Sequence, residues 1–221
     1  MASATALPTA QVAPSRVPRW RPFRWLAIVL FALMVMATLG VVYEAVMAAG
    51  DAQRYPPLGQ MVDVGNHRLH LHCVGKGSPT VIFEGGKGGT TLDWTLVQPQ
   101  LANQTRVCAY DRAGTGWSEP GPLPRTPEQV VTELHTLLQS AGEAGPYLLA
   151  AHSLGGRYVR LFAERYPDEV VGMVLVDARS EYHDQQMSPE LKADMAARKT
   201  PGPEIEPMRR LGLLRLFAVQ L

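Results

Sequence analysis

The chain has 221 residues, enough for one domain with a sizeable core plus an appendage. Its 21 Lys and Arg offset 20 Asp and Glu, so the overall charge gives no basis for nucleic-acid binding. The charge is unevenly placed: Arg16, Arg19, Arg21 and Arg24 precede Trp25 with no acidic residue among them.

Residues 1–24, rich in Ala, Pro and Arg, read as a disordered cytoplasmic tail. From Trp25 to Tyr43 there is neither charge nor proline. At 1.5 Å per residue such a run reaches roughly the 30 Å of a bilayer core. A transmembrane helix is therefore expected over 25–46, with the lipid bilayer as its partner. A buried core helix of this length would normally keep a polar face. The arginines hold the N-terminus in the cytoplasm and export the rest of the chain, placing it outside the cell membrane on a single-pass anchor. A cleaved signal peptide is the competing reading, with Val46-Met47-Ala48 as its cleavage site. The long basic segment and long apolar run favour an uncleaved signal-anchor. Residues 47–59, with Pro56-Pro57, read as a linker.

From Gln60 onward, strands and helices alternate. Met61–Val64 and Arg68–Cys73 form a predicted hairpin across Gly65-Asn66. Thr80–Phe83 is a third strand, followed by Gly85-Gly86-Lys87-Gly88-Gly89. Arg106–Tyr110 is a fourth, running into Asp111-Arg112-Ala113-Gly114. A helix begins after Thr126, which with Gln129 forms a capping box; Pro127 suits the first helical position. Its apolar face is Val130, Val131, Leu134, Leu137 and Leu138, and Gly142 ends it. Tyr147–Ala151 is a fifth strand, Leu154–Tyr166 a helix, and Val170–Val176 a sixth strand ending in Asp177. A hairpin followed by this alternation implies a mostly parallel sheet covered on both faces, with its active site at the carboxyl ends of the strands. Cys73 and Cys108 lie in apolar segments. They are either a disulfide of an exported domain or two buried thiols.

Ala151-His152-Ser153-Leu154-Gly155 joins a strand to a helix. A serine between small residues at such a turn is a nucleophile elbow, here with alanine in place of the usual first glycine. Ser153 is the candidate nucleophile. The amide of Leu154, opening a helix, supplies one oxyanion donor, and the amide of Lys87 or Gly86 supplies the other. Such chemistry calls for no metal or cofactor.

These motifs together resemble the α/β-hydrolase superfamily, in particular its membrane-anchored bacterial members. The resemblance spans about Gln60 to Asp177 and rests on Val81–Gly86, Tyr110–Ser118, Ala150–Gly156 and Val174–Asp177. It implies Ser153 as nucleophile, the Lys87 and Leu154 amides as oxyanion hole, and Asp111 and Ser118 as braces for the surrounding loops. Asp177 is a possible acid, or a cap for the segment after the sixth strand. The family pattern also demands a histidine after a final strand. His67, His70, His72 and His135 precede the serine, His152 adjoins it, and only His183 comes after it, just past Asp177. The apolar run Met208–Leu221 resembles the start of a cap.

The expected organisation is thus a hydrolase core over 60–180, without its last strands, and the start of a cap region over 181–221. The chain is expected to be a truncated or fragmentary serine hydrolase acting on an ester-like small molecule. A non-catalytic hydrolase-like module lacking its histidine is the alternative.

Overall fold

In the computed structural model, the residues described are 21–180, 182, 186–190 and 206–218. Residues 1–20 of the expected tail, and His183, lie outside them. The chain divides into two units, 1–54 with 199–221 and 55–198.

In the first unit, helix α1 spans Arg21–Arg54. It is long and apolar enough to cross a membrane, with a mean hydropathy of 2.6 over its most apolar window and none of that window buried. It continues eight residues past the expected end at 46. Met47–Arg54 contains good helix formers, and the first proline comes only at Pro56. Arg215 reaches back to α1, pairing with Glu44 at 2.7 Å and Asp51 at 2.5 Å. The segment around the apolar run from Met208 holds two short helices, α5 (Glu206–Arg210) and α6 (Leu213–Ala218). Gly212, at φ +68°, breaks the helix between them.

The second unit is a six-stranded sheet. Its strands are β1 (Gln60–Asp63), β2 (Arg68–Val74), β3 (Thr80–Glu84), β4 (Val107–Tyr110), β5 (Tyr147–His152) and β6 (Val170–Val176). Their spatial order is β1-β2-β4-β3-β5-β6. The first two strands are antiparallel to each other and β2 is antiparallel to β4, while β3, β4, β5 and β6 run parallel. This is the mixed, mostly parallel sheet expected from the sequence. The hairpin turn is longer than expected, since Asp63 pairs with Arg68. The Asp63 carboxylate takes the Gly65 amide at 2.7 Å and widens the turn.

Alternate residues of the central strands feed two apolar clusters. On one face Leu69, Leu71, Ile82, Cys108 and Leu149 meet helices α3 (Pro127–Ser140) and α4 (Gly155–Arg165). On the other, Val81, Phe83, Val107 and Ala109 meet Trp94 and Leu101, from the 3-10 turn Thr91–Trp94 and the short helix α2 (Gln98–Leu101). Thr126 caps α3 by accepting the Gln129 amide at 3.3 Å. The expected capping box is only half made, because Gln129 turns its side chain to Pro122 and Glu133 instead.

Cys73 and Cys108 face each other across β2 and β4 and are disulfide-bonded. Closing a loop of sequence separation 35 contributes roughly 4 kcal/mol in the chain-entropy description. Strand β6 is an edge whose Val171, Met173, Val174, Leu175 and Val176 are all exposed.

Candidate active site

Strand β5 delivers Ser153 to the carboxyl end of the sheet. The serine is one of only two non-glycine residues with positive φ among those described, at +50°. A side chain tolerates this left-handed conformation only where its surroundings enforce it. Here the Ser153 amide donates to the Val176 carbonyl at 3.2 Å, and the Ser153 carbonyl accepts from the amides of Gly156 at 3.1 Å and Arg179 at 2.7 Å. Gly155 has no alternative. A Cβ there would lie 2.6 Å from the Glu84 carbonyl oxygen and 2.7 Å from that of Gly85. At Ala151 the departure from glycine is harmless, because its methyl group packs into the cluster under α3 and α4.

The glycine loop after β3 closes over this elbow. A Cβ on Gly86 would come within 3.3 Å of the Ser153 Cβ and 3.0 Å of His152 Nδ1. Only a residue without a side chain lets the loop lie this close to the serine, and Lys87 is exposed one residue further on. Leu154 is the residue at the N-terminus of α4, whose dipole favours negative charge there.

What holds this loop was not assigned from the sequence. Arg112, buried at the end of β4, donates to the Gly85 carbonyl at 2.8 Å and to that of Gly86, and it pairs with Glu84. Tyr110 donates to the same fully buried carboxylate. Burial pushes the Glu84 carboxyl above its usual range, although the Arg112 charge and the hydrogen bonds from Tyr110 and Arg112 pull the other way. Burial and the neighbouring Glu84 together put the Tyr110 phenol well above its usual value. The signal was present in the sequence, as an acid closing an apolar strand and an arginine closing the next.

A second hub is Asp111. It accepts from the Thr91 amide at 2.6 Å and hydroxyl at 2.9 Å, and from the Trp117 amide at 3.0 Å, and its other contact is His70 Nδ1 at 3.0 Å. Burial raises its carboxyl, but these hydrogen bonds more than offset that and hold it below the usual carboxylate range. Ser118 links the same hub to β2, donating to the Asp111 carbonyl at 2.6 Å and accepting the His70 amide at 2.8 Å.

Asp177 is exposed at the end of β6, with φ +44°, in the turn whose Val176 and Arg179 hold the Ser153 backbone. Among the described residues, no histidine side chain hydrogen-bonds the Ser153 hydroxyl. Beside the elbow a cleft of about 430 Å³ is lined by Asp93, Trp94, His152 and Val176. Trp94 stacks on Phe83 with ring centroids 4.2 Å apart. Among the described residues one group of metal-ligating side chains gathers, Cys73, Cys108 and Glu143, but its two sulfurs are joined in the disulfide.

Residues 79–202 match the family described as alpha/beta hydrolase fold. The chain belongs to that family. An uncharacterised protein of Schizosaccharomyces pombe is 35% identical over 165 residues, covering 61% of this chain and 31% of that protein. A 2-hydroxy-6-oxo-2,4-heptadienoate hydrolase of Pseudomonas putida is 34% identical over 124 residues, covering 55% of this chain and 45% of that protein. Among solved structures, a thermophilic esterase from Thermogutta terrifontis superposes with a TM-score of 0.52 at 27% identity, covering 67% of this chain and 56% of that one. The chain thus spans between about a third and just over half of the length of these relatives.

Proposed function

We propose that this hydrolase-family chain carries a serine nucleophile, Ser153, that attacks the carbonyl of an ester-like substrate, so that the ester C–O bond breaks, the alcohol leaves with the proton lost by the serine hydroxyl, and an acyl-serine remains. The developing oxyanion is received by the amides of Lys87 and Leu154. The observation that carries this reading is the strained φ of Ser153 beside a glycine loop so near that a Cβ on Gly86 would come within 3.3 Å of the Ser153 Cβ. The esterase relative agrees with an ester-like substrate. Asp177, in the turn that supports the elbow, is the candidate acid, and His183 is the histidine that comes after the serine in the chain.

We further infer that α1 anchors the chain in the cell membrane, with the hydrolase unit on the outer side. Its length and apolarity support the first part. The arginines before Trp25 and the Cys73–Cys108 disulfide, which suits an oxidising compartment, support the second.

The acyl-serine step predicts a burst. Mixed with p-nitrophenyl acetate, the full chain should release up to one equivalent of p-nitrophenolate as the acyl group passes to Ser153, whatever the later rate of deacylation. The Ser153→Ala variant should show none. Equal release from the variant would remove Ser153 from the chemistry.

A further inference from the structure

We propose that the corner of the hydrolase unit formed by Tyr55, Leu58, Leu92, Leu96 and Val97 rests on the lipid surface, beside the cleft at the catalytic serine. The proposal builds on the reading of α1 as a membrane anchor.

Its first support is exposure. Leu96 is 81% exposed and Leu92 51%, and Val97, Tyr55 and Leu58 are also exposed. These apolar side chains meet solvent on segments that are otherwise pinned. Thr90 caps the 3-10 turn by accepting the Leu92 amide at 3.3 Å, and its own amide donates to Asp93 at 3.2 Å. Gln98 anchors the following helix to the His72 carbonyl at 2.8 Å. The apolar residues between are thus held outward by a fixed backbone.

The second support is where the chain enters the unit. Helix α1 ends at Arg54, and Tyr55 is the next residue. The Tyr55 carbonyl accepts the Trp117 indole N–H at 3.0 Å, and the Gly59 amide donates to His70 Nε2 at 2.9 Å. Trp117 and His70 both converge on Asp111, which holds Thr91. A short chain of hydrogen bonds therefore joins the entry segment to the loop carrying Leu92, Asp93 and Trp94. Leu58 and Gln98 also approach the same residue, His72, from the two segments. The span expected over 25–46 leaves eight helical residues, about 12 Å, before Tyr55, a tether short enough for this apolar corner to reach the membrane surface. Lipid is the occupant that this continuity selects. Asp93 and Trp94, on the same loop, line the cleft at His152.

The test places one fluorophore on the full chain in vesicles containing brominated phosphatidylcholine, using the native disulfide to leave an introduced cysteine as the labelling site. Labels at Leu96→Cys, at Leu33→Cys within α1, and at Gln139→Cys on α3, across the sheet, are compared. The labels at 33 and 96 should lose most of their fluorescence while that at 139 keeps it. Quenching at 33 with none at 96 would overturn the proposal and leave the anchor intact. Absence of quenching at 33 would remove the anchor, and the proposal with it. Leu96 is exposed, so its substitution leaves the fold unchanged.

Discussion

Replacing Arg112 by methionine should slow the reaction of Ser153 with an alkyl fluorophosphonate by roughly 10- to 100-fold, less than the 10²–10³-fold lost when an oxyanion donor is itself removed. Arg112 touches no reacting atom. It is a positioning residue, and its guanidinium holds two successive carbonyls, Gly85 and Gly86, of the loop that covers the serine. Methionine fills much of the same volume but offers no donor, so the loop amides lose the fixed direction that the proposed oxyanion hole needs. The buried Glu84 also loses its cationic partner, moves further above its usual pKa and protonates. Arg112→Lys separates the two roles. It restores a charge beside Glu84 but cannot fork onto two carbonyls, so its rate should fall between wild type and methionine. Labelling as fast in Arg112→Met as in wild type would show that the loop needs no clamp.

Asp111→Asn should lower the unfolding free energy by about 3 kcal/mol, the cost of uncoupling a buried carboxylate from its donors. For a unit of this size that is roughly 6–12 °C in the unfolding midpoint. The asparagine keeps one acceptor oxygen where Asp111 receives donors from Thr91 and Trp117, and turns an NH₂ toward some of them. The pH dependence distinguishes this from simple misfit. The folded-state pKa of Asp111 lies below the ordinary 3.8. Its stabilisation is therefore complete above that value and is lost as the pH falls through the folded value. The gap between wild type and variant should be full at neutral pH and shrink on acidification below about 4. Glu84 contributes the opposite slope, since its folded pKa is raised above 4.5, but it is present in both proteins and cancels in the difference. A gap unchanged down to the acid transition would show that Asp111 contributes by shape and not by charge.

Much of the sheet was legible in the sequence because each strand is a short apolar run closed by glycine, proline or a polar cluster. The elbow was legible for the same reason, since Tyr147–Ala151 leads straight into a small-residue turn and an amphipathic helix. What escaped was whatever depends on strand neighbours that are not neighbours in sequence. Strand β2 pairs with β4, skipping β3, and only that pairing brings Cys73 opposite Cys108. The Arg112 clamp likewise reaches from the end of β4 to the loop after β3, which lies beside it in space but well before it in the chain. Boundaries shifted where local signals were weak. Helix α1 overran its expected end because no proline falls between Met47 and Arg54 and Gly50 keeps a helical conformation there, whereas Gly212 takes a positive φ and separates α5 from α6.

The central claim is that Ser153 is an activated nucleophile, and mass-spectrometric mapping of the full chain after fluorophosphonate treatment tests it most directly. One adduct is expected, on the peptide containing Ser153, and it should disappear in the Ser153→Ala variant. An adduct on a different residue, or none under conditions that label a known serine hydrolase in the same tube, would contradict it.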